Sequence, residues 1–167
     1  CSGGAGIQAD LKTMTAYGVY GMSVITALTA QNTLGVTQNN LITADVVSAQ
    51  LMSVLSDITP NAIKIGMLGN GQIATAVAEN LQDFFSPSTQ SPSSLQAHEN
   101  AISKSSIPSH ANTIPIVIDP VLVSTSGKTL LDEDGIRVLT EQLFPMATLI
   151  TPNIPESEYL CNRIFNA

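Results

Sequence analysis

The sequence is short of charge, of cysteine and of long hydrophobic runs. Charged residues make up 11% of the 167, and only six are basic. Thirteen acids bring the formal net charge to −7, and no Lys/Arg cluster appears anywhere along the chain. A nucleic-acid or anionic-membrane partner calls for such a cluster, so neither is expected. The acidity reads first as a solubilising surface. Two cysteines, Cys1 and Cys161, stand at opposite ends without a CxxC pair. That is the pattern of reduced thiols, and a cytoplasmic location is the expectation. No apolar run reaches membrane-spanning length, and no basic n-region precedes an apolar h-region. An initiator Met is lacking too, and the chain begins inside a glycine motif, so a fragment of a longer protein is expected.

What is present is apolar patterning. Hydrophobic residues are 44% of the chain, enough for one sizeable core in a single domain spanning 1–167. "GIQADLKTMTAYG" sets Ile7, Leu11, Met14 and Thr15 on one helical face, with Gly18 placed to stop the helix. "MSVITALTA" (22–30) is β-branched and apolar on both faces, which predicts a buried parallel strand ending in the polar "QNT". "TADVVSAQLMSVLSD" is helical, with Thr43 as its N-cap and Val47, Leu51, Val54 and Leu55 on one face. "AIKIGML" (62–68) reads as a strand, and "GQIATAVAENLQDFF" returns to helical spacing. After residue 113, "IPIVIDPVLV" and "ATLITPN" read as strands on either side of the helix "DEDGIRVLTEQLFP". Pro155 suits an early position of a last helix. Strand alternating with helix predicts βαβ units, hence an α/β fold with a parallel sheet covered on both faces.

Residues 86–113 break this pattern. They are rich in Ser, Pro and Asn with little apolar periodicity, and read as a disordered insertion rather than a domain boundary. His98 and His110 lie there and read as solvated loop histidines.

In open parallel sheets ligands bind beyond the carboxyl ends of the strands. The polar residues at those ends are therefore the candidates: Gln31 and Asn32, Met67, Asp119, then Asn153 with Glu156. Each has a plainer reading. Asp119 before Pro120 can simply initiate a turn, Asn153 can be a turn residue, and Glu156 can be a first-turn acid favoured by the helix dipole. Met67 can be core filler and Asp10 an exposed helix acid. Gln31 resists dismissal, because a buried primary amide needs partners on both its oxygen and its nitrogen. "SGGAG" has neither the Lys-Ser/Thr of a P-loop nor GxGxxG spacing, so it reads as a flexible helix start that lets a ligand near the backbone.

"SGGAGIQADLKTMTAYGVYGMSVITALTAQNTLGV", "KIGML", "VIDPVLVSTSG" and "LITPNIPE" follow one another in this order. In this the chain resembles the hydroxymethylpyrimidine/phosphomethylpyrimidine kinases of thiamine biosynthesis, members of the ribokinase-like superfamily. The resemblance covers nearly all but 86–113. It implies a three-layer α/β/α fold with a mainly parallel central sheet, incomplete here. It also implies MgATP-dependent phosphorylation of 4-amino-5-hydroxymethyl-2-methylpyrimidine and then of its monophosphate. Carried over by motif, Gln31 would bond the aminopyrimidine edge, Asp10 and Gly4 would share its pocket, and Met67 and Val121 would wall the ring. Asp119, Asn153 and Glu156 would position Mg²⁺ and the nucleotide phosphates. No catalytic residue is assigned. The resemblance sets the family's glycine-rich anion hole, its main catalytic motif, beyond Ala167 together with most of the adenine pocket, so the piece alone is expected to be inactive. The pyrimidine and ATP are thus the expected small-molecule partners, and the resemblance leaves room for a homodimer in the intact protein. Two alternatives stay open: a related kinase of pyridoxal or a sugar, and a catalytically inactive binding module.

Overall fold

The computed structural model describes residues 3–86, 114–123 and 129–165. All of the proposed insertion except Ser86 lies outside them, His98 and His110 included. Asn166 and Ala167 lie outside the described residues as well.

The chain first forms helix α1 (Gly6–Ala16), which ends at Gly18 as its spacing predicted. Gly3 and Gly6, at φ +75° and +63°, occupy a left-handed region that side chains avoid. A Cβ added at Gly4 would meet nothing within 4 Å. The glycines at this helix start thus serve backbone conformation, and no protein atom crowds Gly4. Ile7, Leu11 and Met14 form the half-buried face. Thr15 does not join it; it is exposed, and its hydroxyl donates to Leu11 O at 2.8 Å.

The expected buried parallel strand over 22–30 is corrected. Strand β1 (Ala27–Asn32) instead forms an antiparallel hairpin with β2 (Gly35–Leu41), with a register shift between Ala30 and Gln31. The chain reverses because Asn32 Oδ1 accepts from Leu34 N at 2.9 Å and Gly35 N at 3.2 Å. An asparagine side chain bonding its own following backbone in this way mimics a turn. Before the hairpin, the Gln50 side chain takes the place of a neighbouring strand. Its amide accepts from Ile25 N at 2.9 Å and donates to Ile25 O at 3.0 Å.

Helix α2 (Ala44–Asp57) follows and buries Val47 completely. Thr43 occupies its N-cap position, but its hydroxyl makes no capping bond. The remaining elements are β3 (Ile63–Ile65), α3 (Gly71–Phe85), β4 (Ile116–Ile118), α4 (Glu133–Val138), β5 (Leu149–Ile150) and α5 (Ile154–Phe165). The helix predicted after Asp132 is regular only through Val138; it widens into a π-turn over 139–143 and tightens into a 3₁₀ turn over 144–146. Two causes act there. Thr140 Oγ1 bonds back to Ile136 O and Arg137 O, and Pro145 has no N–H with which to continue an α-helix.

Strands β3, β4 and β5 make a parallel sheet in that order, pairing Ile63 with Ile116, Ile65 with Ile118 and Ile118 with Ile150. Alternation along a strand sends Ile65 and Ile118 to one face, where they join Ile73, Val77 and Leu81 of α3 with Ile136, Leu139 and Leu143 in the main core. Lys64 and Val117 lie on the other face, on which Lys64 meets Asp10 of α1. The architecture is α/β, as the alternation of elements implied.

Candidate active site

The carboxyl ends of β3 and β4 stand side by side. Asp119, one residue past β4, donates its N–H to Ile65 O at 2.9 Å, and Met67 follows β3 by two residues. Thr151, just past β5, donates its N–H to Ile118 O at 2.9 Å. Met67, Asp119, Asn153 and Glu156 therefore all belong to one end of the sheet.

The hairpin reaches the same end. Thr26 Oγ1 donates to Met67 O at 2.7 Å, and the Leu41 side chain lies against Gly69, whose φ of +85° and bare Cα admit it. Along β1, Ala27, Thr29 and Gln31 are half-buried while Leu28, Ala30 and Asn32 are exposed. Gln31 therefore sits on the half-buried face, and its amide makes no hydrogen bond among the described residues. Sequence reasoning set Gln31 at the tip of a parallel strand; it lies instead near the tip of a hairpin whose base is tied to the segment after β3.

Asp10 and Asp119 meet through a residue that motif reasoning passed over. Lys64 Nζ donates to Asp10 Oδ1 at 2.7 Å, each side chain about one-third exposed. The signal lay in "IKI": a lysine between two isoleucines of a strand needs a partner on the face opposite the core. Asp119 feels this pair. Burial pushes its carboxyl above the ordinary aspartate value, the Lys64 ammonium draws it down, and the Glu156 and Asp10 carboxylates push it up. Its carboxylate accepts no hydrogen bond among the described residues.

Among the described residues Glu156 is the one buried charged side chain, at 5% exposure. Its Oε2 accepts from Asn153 N at 3.0 Å while Asn153 Oδ1 accepts from Glu156 N at 2.9 Å, a reciprocal cap on α5. Its Oε1 accepts from Leu122 N at 3.0 Å. The acid thereby ties α5 to the turn after β4, in which Val121 has φ +45°. A β-branched residue there is a genuine outlier, and such strain persists only where neighbours hold it. Buried Pro120 and buried, amide-bonded Leu122 hold it on both sides. Gly4 is exposed at the start of α1, and nothing described links it to the strand ends.

A cavity of about 740 Å³ opens elsewhere, between α2 and the starts of α3 and α4. Asp45, Glu79, Asp132, Asp134 and Arg137 line it, and none of the residues singled out from sequence does.

A parallel sheet flanked by helices, with a hairpin anchored beside its carboxyl end and acidic side chains near that end, is an α/β architecture, and the solved structures it resembles are ribokinase-like kinases. A sequence model described as phosphomethylpyrimidine kinase matches residues 1–106 and 95–167, and the chain belongs to that family. It is 42% identical over 161 residues to a hydroxymethylpyrimidine/phosphomethylpyrimidine kinase of Rhizobium meliloti, covering 96% of this chain and 50% of that protein. The crystal structure of phosphomethylpyrimidine kinase from Clostridium difficile 630 superposes with a TM-score of 0.73 at 41% identity, over 95% of this chain and 57% of the other. A pyridoxal kinase from Bacillus subtilis, solved as an ADP complex, is similar at 31% identity and a TM-score of 0.66, over 95% and 48%. The chain spans about half the length of the curated relatives it matches.

Proposed function

We propose that the protein carrying this chain phosphorylates 4-amino-5-hydroxymethyl-2-methylpyrimidine, and then its monophosphate, from MgATP in thiamine biosynthesis. The family assignment supports the reaction class. The reading is supported by Met67 and Asp119 standing at adjoining strand ends, by the Asp10–Lys64 pair acting on Asp119, and by the anchoring at Met67 of the hairpin that bears Gln31. A flat neutral heterocycle needs apolar walls with a few polar groups at its edge. Met67 and Val121 offer walls, while Gln31 and Asp10 offer edge contacts, with Gly4 at the start of the helix that bears Asp10. None of these residues is given the part of activating the hydroxyl.

Magnesium suits the acidic groups at this end of the sheet. The Lys64 ammonium and the Glu156 and Asp10 carboxylates all act on Asp119, which lies half-buried and accepts no hydrogen bond among the described residues. Among the described residues no three His, Cys, Asp or Glu side chains gather into a metal cage. Mg²⁺ fits that sparse set, since it keeps waters and phosphate oxygens around one or two carboxylates. Asp119 would hold it, with Asn153 and Glu156 positioning the phosphate side. The ion would neutralise charge on the transferring phosphoryl group.

The test compares the full-length protein on the hydroxymethylpyrimidine and on pyridoxal, each with MgATP. A higher kcat/KM on the pyrimidine is expected. Preference for pyridoxal, or no turnover of either, would overturn the proposal.

A further inference from the structure

Val121 follows Asp119 by two residues at the carboxyl end of β4, half-buried and with φ +45°. Among the described residues it is the one non-glycine residue with positive φ. A β-branched residue does not choose that conformation, so its surroundings must impose it. Buried Pro120 precedes it, with its own φ locked by the ring. The peptide that follows Val121 carries the Leu122 N–H, which donates to Glu156 Oε1 at 3.0 Å. Leu122 O accepts from Leu130 N at 2.8 Å, and the Leu122 side chain is buried. Glu156 is itself fixed, its other oxygen accepting from Asn153 N at 3.0 Å. Two backbone donors thus converge on one buried side chain, and a carboxylate offers each its own oxygen where an amide would offer one.

We infer that Glu156 is a positioning residue for the pyrimidine: by holding the Leu122 amide it keeps Val121 in the left-handed conformation that sets its side chain as a wall for the ring. The inference rests on the reading in which Val121 walls the ring, and adds the residue that keeps the wall in place. Without the bond to Glu156, the peptide between Val121 and Leu122 can turn over and φ of Val121 return to negative values, which sterics favour. Rotation about the N–Cα bond carries the side chain with it. An apolar wall acts by close contact, so a displaced isopropyl group forfeits affinity for a flat ring. Glu156 acts through Leu122 and needs no contact with the ring.

The experiment is calorimetric titration of the full-length protein with the aminopyrimidine. Neither nucleotide nor magnesium is added, so that any part of Glu156 on the phosphate side stays silent. Glu156→Ala should lower affinity about tenfold. In a Val121→Gly background, where no wall remains to be held, the same substitution should change affinity by less than about twofold. Asn70→Ala, which removes the cap of α3, should bind as wild type does. Wild-type affinity in Glu156→Ala, an equal loss in both backgrounds, or a matching loss in Asn70→Ala would refute the inference. Thermal melting gives a second measurement that leaves Glu156 intact. Val121→Gly should melt above Val121→Ala, because glycine takes φ +45° freely and alanine does not. The reverse order would refute the inference too. Failure of the wild-type protein to bind the aminopyrimidine would remove the underlying reading as well, and shows itself before any substitution is made.

Discussion

Asp119 bears a carboxyl that burial disfavours in its charged form, with Lys64 only partly offsetting the penalty. A carboxyl raised in this way contributes stability that is present below its unfolded value and lost as pH rises through its folded value. Asp119→Asn should therefore unfold at a higher temperature than wild type at neutral pH, with the gap closing as the medium is acidified into the carboxylate range. The same variant should lose phosphoryl transfer. A melting curve at two pH values beside an activity assay checks both, and a neutral-pH melting point below wild type would contradict the first. Replacing Glu156 should instead destabilise the fold through its lost hydrogen bonds. A glutamine keeps one acceptor and turns an N–H₂ toward a backbone N–H, so Glu156→Gln should cost about 1–3 kcal/mol in denaturant unfolding. The sequence made Glu156 visible as a first-turn acid, but not its bond to Leu122, since a contact 34 residues distant has no local signature. Lys64 was hidden for a related reason: its partner is 54 residues away.

At the level of elements, caps do much of the joining. Asn70 Oδ1 caps α3 through Ile73 N at 2.9 Å, whereas Asp132 Oδ1 accepts from both Gly135 N at 2.7 Å and Gly71 N at 2.9 Å. One aspartate thus closes the starts of two helices. Asp132→Ala should lower stability by about 2 kcal/mol, against about 1 kcal/mol for Asn70→Ala; equal costs in urea titrations would deny the shared cap. Helices α1, α2 and α3 were legible because amphipathic spacing and stop signals are local. The hairpin was not. "ALTAQN" is apolar enough to pass for a buried strand, and its reversal depends on one asparagine side chain. The regular helix expected after Asp132 failed for an equally small cause, a threonine and a proline within about a turn of each other.

Across the whole molecule, cohesion is uneven. Among the described residues the buried apolar side chains come mainly from α3, β4 and the helical run after Asp132, whereas α1 has none. Amide exchange should follow this division. Protection should be greatest in α3 and β4 and least in α1 and the hairpin, where few buried contacts oppose local opening. Slower exchange in β1 than in β4 would refute that ordering. The α/β class was readable from the order of elements, because alternating periodicities leave few ways to cover a parallel sheet. The gathering of Asp10, Lys64 and Asp119 on one face was not, since it depends on which side of β3 and β4 meets the first helix.

The two oxygens of Glu156 each hold a main-chain amide, one at the head of the final helix and one beside Val121. So fastened, the side chain has no freedom to swing out and greet an arriving ion. Any cation that uses it must travel the whole distance itself and dock on the lone pairs left over, and the protein gives up adaptability there in exchange for a fixed landing point.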